Sequence, residues 1–127
     1  MDNIITGIPH EGHFAATMEG MAQATAFLDE ICPNPKLSIV FDEIASNVVR
    51  CSGATSFDVK VSRDQDIVLT ISDDGSPFDP TQTDDPDVTK KAEDREIGGL
   101  GLFMVRKMAK RVDYVREKAR NVLTIRL

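Results

Sequence analysis

Two hydrophobic periods follow one another in this chain, and the change of period restricts the fold more than any other feature. Between residues 37 and 48 the apolar residues recur every three or four positions, as on one face of a helix. From residue 57 to residue 71 they alternate with polar residues, in two runs separated by RDQD. Such alternation is typical of an antiparallel β-hairpin with one buried face. A one-faced helix beside a one-faced sheet predicts two packed layers.

The same patterns assign the rest of the chain, in the order β, α, α, β, β, loop, α, β, β. The other predicted elements are a short strand at residues 3–8, a helix from Phe14 to Ile31 that ends at CPNPK, a helix over about 100–111, and strands at VDYVRE and NVLTIRL joined by EKAR. The helix from Phe14 to Ile31 is predicted to end at CPNPK, because each proline disfavours a helical conformation in the residue before it. The predicted fold class is an α/β (α+β) two-layer sandwich, with helices on one face of a mixed, mostly antiparallel sheet.

The length and charge of the chain narrow the range of functions to be expected. The 127 residues predict a single domain over 1–127, and the net charge of −6 argues against a nucleic-acid-binding surface. No run of 18 apolar residues occurs, and the first residues lack the basic and apolar regions of a signal peptide, so no membrane association is expected. Cys32 and Cys51 lack metal-binding spacing and indicate reduced thiols. These features predict a cytoplasmic protein.

Residues 79–97 form an unusually long polar segment with two prolines, many charges and almost no apolar residues. Loops of this length within a compact domain are commonly functional or disordered. Two glycine-containing segments, DDGSPFDP before it and GGLGL after it, flank this loop. A plain structural domain does not require such an arrangement, which raises the question of what lies between the two glycine-containing segments.

The second predicted helix carries polar residues at helical spacing. Glu43 and Asn47 are four residues apart and share one helical face beside the apolar stripe, and Arg50 extends the row. A solvent-exposed polar face has the same pattern. A functional interpretation is also open, because an amide oxygen is a suitable Mg²⁺ ligand and a carboxylate can accept a proton from a nucleophile.

The segment after the predicted hairpin contains Asp73, Gly75 and Pro77. A carboxylate at a strand end can accept a hydrogen bond from an amino group such as adenine N6. Gly75 allows the backbone to turn against a flat ligand. An ordinary Asp-Gly turn is the alternative interpretation.

The segment GGLGL comes at the start of the last predicted helix and includes Gly98, Gly99, Leu100 and Gly101. Unpaired backbone N–H groups and the positive end of the helix dipole at such a start can bind phosphate. A flexible entry into the helix is the alternative. The P-loop pattern GxxxxGK[ST] does not occur in the chain.

Together, the order and spacing of these motifs resemble the histidine-kinase-like ATPase (GHKL) superfamily. The motifs are ExxxN on a helix, DxGxPFDP after a strand, a loop, and GGLGL before a helix. Within that superfamily the chain resembles most the stand-alone anti-sigma factor serine/threonine kinases of bacterial partner-switching systems. The resemblance extends over nearly the whole chain and implies a Bergerat-type ATP-binding fold in which residues 79–97 form an ATP lid.

The resemblance also implies roles for individual residues. Glu43 matches the family's general base, Asn47 its Mg²⁺ ligand, and Asp73 the aspartate that binds adenine. The remaining residues expected to contact the nucleotide are Arg50, Gly75, Pro77, Arg95, Gly98, Gly99, Leu100 and Gly101. Pro77 departs from the pattern, because many relatives outside this branch have a second glycine there, and proline should stiffen the loop.

The implied function is ATP-dependent phosphorylation of a serine or threonine on an antagonist protein of the STAS class. ATP and Mg²⁺ would be the cofactors, and a sigma factor or an equivalent regulator would be the second partner. The resemblance further implies a homodimer. The alternative is a regulatory module in which the bound nucleotide selects a protein partner with little or no phosphoryl transfer.

Overall fold

The fold comes from a computed structural model, which describes residues 9–79 and 99–127. Its elements are β1 (His10–Ala15), α1 (Met18–Ile31), α2 (Pro35–Cys51), β2 (Ser56–Arg63), β3 (Ile67–Asp73), α3 (Gly99–Met108), β4 (Arg111–Glu117) and β5 (Arg120–Arg126). From α1 onward, the predicted order of helices and strands is therefore confirmed. The strand predicted at residues 3–8 lies outside the described residues.

The five strands form one sheet in the order β1-β2-β3-β5-β4. The sequence predicts a mixed, mostly antiparallel sheet, and every pairing between the described strands is antiparallel. In register, Val59 lies opposite Ile71, and Ile71 lies opposite Leu123. The last strand of the chain thus lies beside β3 in the middle of the sheet, whereas β4 takes the edge.

One face of the sheet is buried and the other is partly exposed, as the alternating pattern predicts. Val59, Leu69 and Ile125 are at most 1% exposed, while the residues that alternate with the buried ones along β2, β3 and β5 are partly or fully accessible. The buried face packs against α2, whose Val40 and Phe41 are also at most 1% exposed. Each large apolar side chain buried in this way contributes about 1.5–3 kcal/mol. The two-layer α/β fold is confirmed.

The first strand differs from the sequence prediction, which placed Phe14 at the start of the first helix. Phe14 instead belongs to β1, where its ring packs against Phe27 at 5.7 Å and Phe57 at 5.8 Å between centroids. The helix begins only after Thr17, whose hydroxyl accepts a hydrogen bond from the Gly20 N–H at 3.0 Å. Phe14 has the helical spacing by coincidence, since it fills the same core from a strand.

Local signals fix both ends of α2. Asn34 is the N-cap, and its side-chain oxygen accepts hydrogen bonds from the N–H groups of Lys36 and Leu37 at 3.0 and 3.1 Å. Pro35 occupies the first turn, where its missing N–H costs nothing. Gly53, with a φ of 70°, turns the chain away after the helix, as glycine does at helix C-termini. Among the described residues, no helix combines the length and hydropathy needed to cross a membrane.

Candidate functional site

A cavity of about 170 Å³ lies between α2, β3, β5 and the start of α3. Most of its wall is apolar, and a few polar side chains enter it, which is the usual character of a small-molecule site. The residues that line it are Ile44, Asn47, Val48, Cys51, Ser52, Ile71, Asp73, Ser76, Pro77, Phe78, Leu102, Asn121 and Leu123. Three residues selected from the sequence, Asn47, Asp73 and Pro77, are thus brought together around one cavity.

Asn47 lies deeper than the sequence predicts. It is 9% exposed and belongs to the buried face of α2, whereas the sequence placed it on a polar face beside that stripe. Its Nδ2 is buried and has no hydrogen-bond partner among the described residues. An unpaired buried amide costs about 1–3 kcal/mol, so such groups are rare without a ligand or water to satisfy them. The cavity therefore presents an amide suited to a polar ligand.

Glu43 and Arg50 lie on the same helix but do not contribute to the cavity wall among the described residues. Glu43 is partly buried one turn before Asn47. Arg50 is exposed, and its Nε donates a hydrogen bond to the Ser46 carbonyl oxygen at 3.4 Å. The helical row predicted from the sequence is present, but only its central residue enters the cavity.

Asp73 presents one carboxylate oxygen for a ligand. It is 5% exposed at the end of β3. Its Oδ1 accepts hydrogen bonds from the Gly75 N–H at 2.8 Å and from Asn121 Nδ2 at 3.1 Å. Among the described residues, both of these bonds use the same oxygen, so Oδ2 can accept a hydrogen bond from an amino group of a ligand.

Asn121 connects Asp73 to the segment after β3, and the sequence analysis missed it. Its Nδ2 donates to Asp73 Oδ1 and, at 2.8 Å, to the Ser76 carbonyl oxygen. Its Oδ1 accepts from the Phe78 N–H at 3.2 Å and from the Tyr114 hydroxyl at 2.6 Å. A signal existed, because the alternation of Leu123 and Ile125 marks position 121 as buried, and asparagine is unusual there.

Gly75 has a packing role in the same segment. A Cβ at Gly75 would lie 2.6 Å from the Ser52 carbonyl oxygen, too close for any side chain. The neighbouring Ser76 N–H donates to this same oxygen at 2.8 Å. Arg116 Nη1 also donates to the Gly75 carbonyl oxygen at 2.8 Å. The glycine thus lets the segment after β3 pack onto the end of α2, which forms one side of the cavity.

Asp74 connects the segment after β3 to the start of β2. Its carboxylate accepts hydrogen bonds from the Thr55 hydroxyl, the Thr55 N–H at 2.7 Å and the Ser56 N–H at 3.2 Å. The bond from the Thr55 hydroxyl, followed by those from the two backbone N–H groups, lowers the pKa of Asp74 to about 2. The carboxylate is therefore ionised wherever the protein is folded near neutral pH, and it ties the cavity segment to the start of β2.

The glycine motif is only partly described. Gly99, Leu100 and Gly101 form the first turn of α3, as the sequence predicts, and Leu102 in the same helix lines the cavity. Gly98, Arg95 and the loop over 80–97 lie outside the described residues. The start of α3 is consequently adjacent to the cavity, and the phosphate-binding role predicted for its glycines remains a prediction.

Replacement of Asn121 with alanine is expected to lower the free energy of unfolding by about 1–3 kcal/mol. The buried carboxylate of Asp73 would lose a hydrogen bond, and so would the part-buried groups of Ser76, Phe78 and Tyr114. Urea unfolding would measure the change. Thr124→Ala is the matched control, since Thr124 lies on the same strand but on the opposite face of the sheet. An equal free energy of unfolding for Asn121→Ala and the wild type would show that the hydrogen bonds of Asn121 do not stabilise the fold.

Comparisons with known proteins agree with the small-molecule site that the cavity geometry indicates. A family model described as the histidine kinase-like ATPase domain matches residues 14–127. A curated relative, the serine/threonine-protein kinase BtrW of Bordetella bronchiseptica, is 28% identical over 95 residues. This alignment covers 70% of the present chain and 66% of the relative, which is just under two thirds of the relative's length.

Proposed function

The chain belongs to the histidine kinase-like ATPase family, and from this premise we propose that it is an ATP-dependent serine/threonine protein kinase of the anti-sigma factor type. The family implies ATP binding. The name of the curated relative, a serine/threonine-protein kinase, supports transfer of the γ-phosphoryl group to a protein.

The observation that carries the proposal is the pairing of two polar groups in one apolar cavity. Asp73 offers a carboxylate oxygen, and Asn47 offers a buried amide whose nitrogen has no partner in the described structure. We propose that Asp73 Oδ2 accepts the hydrogen bond of the adenine amino group. The apolar wall, with Ile71 and Leu123 among its residues, suits the faces of a flat heterocycle.

Asn47 would hold Mg²⁺ through its side-chain oxygen, because amide oxygens and phosphate oxygens are ligands that Mg²⁺ accepts. The unpaired amide nitrogen fits this role, since no described residue holds it by a hydrogen bond. The ion would supply positive charge that offsets the negative charge developing on the phosphates during transfer. The backbone N–H groups of Gly99 and Gly101 and the side chain of Arg95 are proposed to hold the triphosphate, with further contacts from Arg50, Pro77, Gly98 and Leu100.

Glu43 would act as the general base. Its carboxylate takes the proton from the incoming serine or threonine hydroxyl, and that oxygen forms a bond to the γ-phosphorus as the bond from phosphorus to the bridging oxygen breaks. ADP is the leaving group. The substrate is proposed to be a STAS-class antagonist, with a sigma factor or an equivalent regulator as second partner, a homodimer as the assembly, and the cytoplasm as the location.

A second function is supported by the position of Glu43. It lies one turn from Asn47 but outside the wall of the cavity formed by the described residues. A chain with this arrangement could bind nucleotide without efficient transfer, and the nucleotide would then control which protein partner binds. Both functions use the same cavity, and they differ in whether a phosphoryl group moves.

Incubation with MgATP and purified STAS-domain proteins of the source organism distinguishes the kinase from the nucleotide-controlled binding module. Mass spectrometry of the STAS proteins is expected to find one phosphoserine or phosphothreonine that is absent without MgATP. Nucleotide-dependent association without any phosphorylated residue would instead support the second function. Absence of both nucleotide binding and phosphorylation would contradict the two together.

A further inference from the structure

We infer that Cys51 is a thiol-modification site within the nucleotide cavity: a small disulfide reacts with its sulfur when the cavity is empty, and the product blocks nucleotide binding. This inference rests on the proposed ATP site. It adds sensitivity to small disulfides, which the proposed kinase chemistry does not require.

The position of Cys51 on α2 places its thiol at the ligand site. Ile44, Asn47, Val48 and Cys51 all line the cavity, and their spacing of three and four residues defines one helical face. Asn47, with its buried and unpartnered amide nitrogen, lies one turn before Cys51 on that face. The cysteine therefore shares a wall with a group that independently indicates a ligand.

Exposure distinguishes the two cysteines of the chain. Cys51 is exposed, whereas Cys32 is 3% exposed within the hydrophobic core. Cys51 is the last residue of α2, and it is both exposed to solvent and part of the cavity wall. A reagent in solution can thus reach Cys51 without unfolding the protein, and Cys32 serves as an internal reference.

An external disulfide is required, because the two cysteines cannot pair within one chain. Cys32 precedes the first turn of α2 and Cys51 ends it, and a helix of 17 residues is roughly 25 Å long. A disulfide needs Cα atoms within about 7 Å. Neither cysteine forms a disulfide in the structure.

The reaction is a thiol–disulfide exchange. The Cys51 thiolate attacks one sulfur of the small disulfide, the original S–S bond breaks, and the second sulfur leaves as a thiolate. The thiol proton passes to solvent, and a new S–S bond joins Cys51 to the first sulfur. A group as large as glutathione, a tripeptide, on the wall of a cavity of about 170 Å³ would occupy space that the nucleotide needs. A reducing thiol reverses the exchange.

The test measures labelling by the aromatic disulfide DTNB on the full chain, with and without MgATP at about 100 times its dissociation constant. One thiol is expected to react in the native wild type, and mass spectrometry should place the label on Cys51. Since only about 1% of the sites are empty at this ligand concentration, labelling should slow by roughly 100-fold. Cys32→Ser should keep this native reaction and Cys51→Ser should lose it.

The reciprocal measurement uses the melting temperature. Glutathionylated wild type is expected to lose the rise in melting temperature that MgATP causes, and dithiothreitol should restore it. Cys51→Ser, put through the same treatment, should keep whatever rise it showed before treatment. This comparison within one variant separates modification of Cys51 from other effects of the reagent.

The outcomes separate this inference from the proposed function. If MgATP raises the melting temperature of untreated protein but labelling of Cys51 is equally fast with nucleotide, the inference is wrong and the ATP site stands. Native protein in which Cys51 does not react overturns the inference as well. If MgATP has no effect on any untreated protein, the ATP site itself is wrong, and the inference falls with it.

Discussion

Replacement of Glu43 with glutamine is expected to slow phosphoryl transfer by roughly 10²–10⁴-fold, because the variant lacks the group that accepts the hydroxyl proton. Nucleotide binding should persist, since Glu43 does not line the cavity among the described residues. Phosphoryl transfer to the partner protein would be followed in a single turnover. Nucleotide binding would be followed by the change in melting temperature with MgATP. A loss in kcat at unchanged nucleotide affinity is the pattern of a group that acts mainly in the transition state.

Asp42→Asn is the matched control for this experiment. Asp42 is the preceding residue of α2, is exposed, and loses the same charge in the variant. Slower transfer in both variants would indicate a general electrostatic effect of the helix surface. Full transfer by Glu43→Gln would remove Glu43 from the mechanism, and another group would then have to accept the proton.

Replacement of Asn47 with alanine is expected to abolish most of the stabilisation by MgATP. At about 100 times its dissociation constant, a ligand of the folded state adds roughly 2.7 kcal/mol. For a domain of 127 residues this corresponds to a rise in melting temperature of several degrees. The wild type should show the rise and Asn47→Ala should not, because the side chain proposed to hold Mg²⁺ is gone. Thermal unfolding with and without MgATP measures both.

The stability of the nucleotide-free variant gives a second readout. Since Asn47 Nδ2 has no partner among the described residues, its removal relieves an unsatisfied buried group, and Asn47→Ala should be no less stable than the wild type without nucleotide. Ser46→Ala, on the same helix but outside the cavity wall, should keep the full effect of MgATP. A variant destabilised without nucleotide would indicate a structural role for Asn47 instead.

The hydrophobic periods alone were sufficient to predict the layers of the fold. The boundaries of α2 and of the β2–β3 hairpin follow from signals within a few residues, namely the three- and four-residue spacing, the alternation, and the cap and glycine at the helix ends. Such signals are local and can be read without knowing what packs against them. The first strand was missed because Phe14 also continues the helical spacing of α1.

Only some of the residues that line the cavity could be predicted from the sequence. Asn47 and Asp73 were selected from the spacing of motifs, whereas Asn121 and Cys51 were not. Asn121 lies 48 residues from Asp73 in sequence, and the two are neighbours because β5 pairs with β3 in a register that sets them opposite each other. No local pattern specifies that register or the insertion of β5 between β3 and β4.

The sequence by itself therefore determined the helices and strands that follow β1, and which motifs could bind a nucleotide, because these depend on contacts between near neighbours. Only the tertiary structure decided that Asn47 enters the cavity while Glu43 stands outside its wall, and that Asn121 positions Asp73. The physical reason is that strand order, register and helix rotation are set by burial of the whole core. A rotation of α2 by a fraction of a turn would bring a different set of its side chains to the cavity.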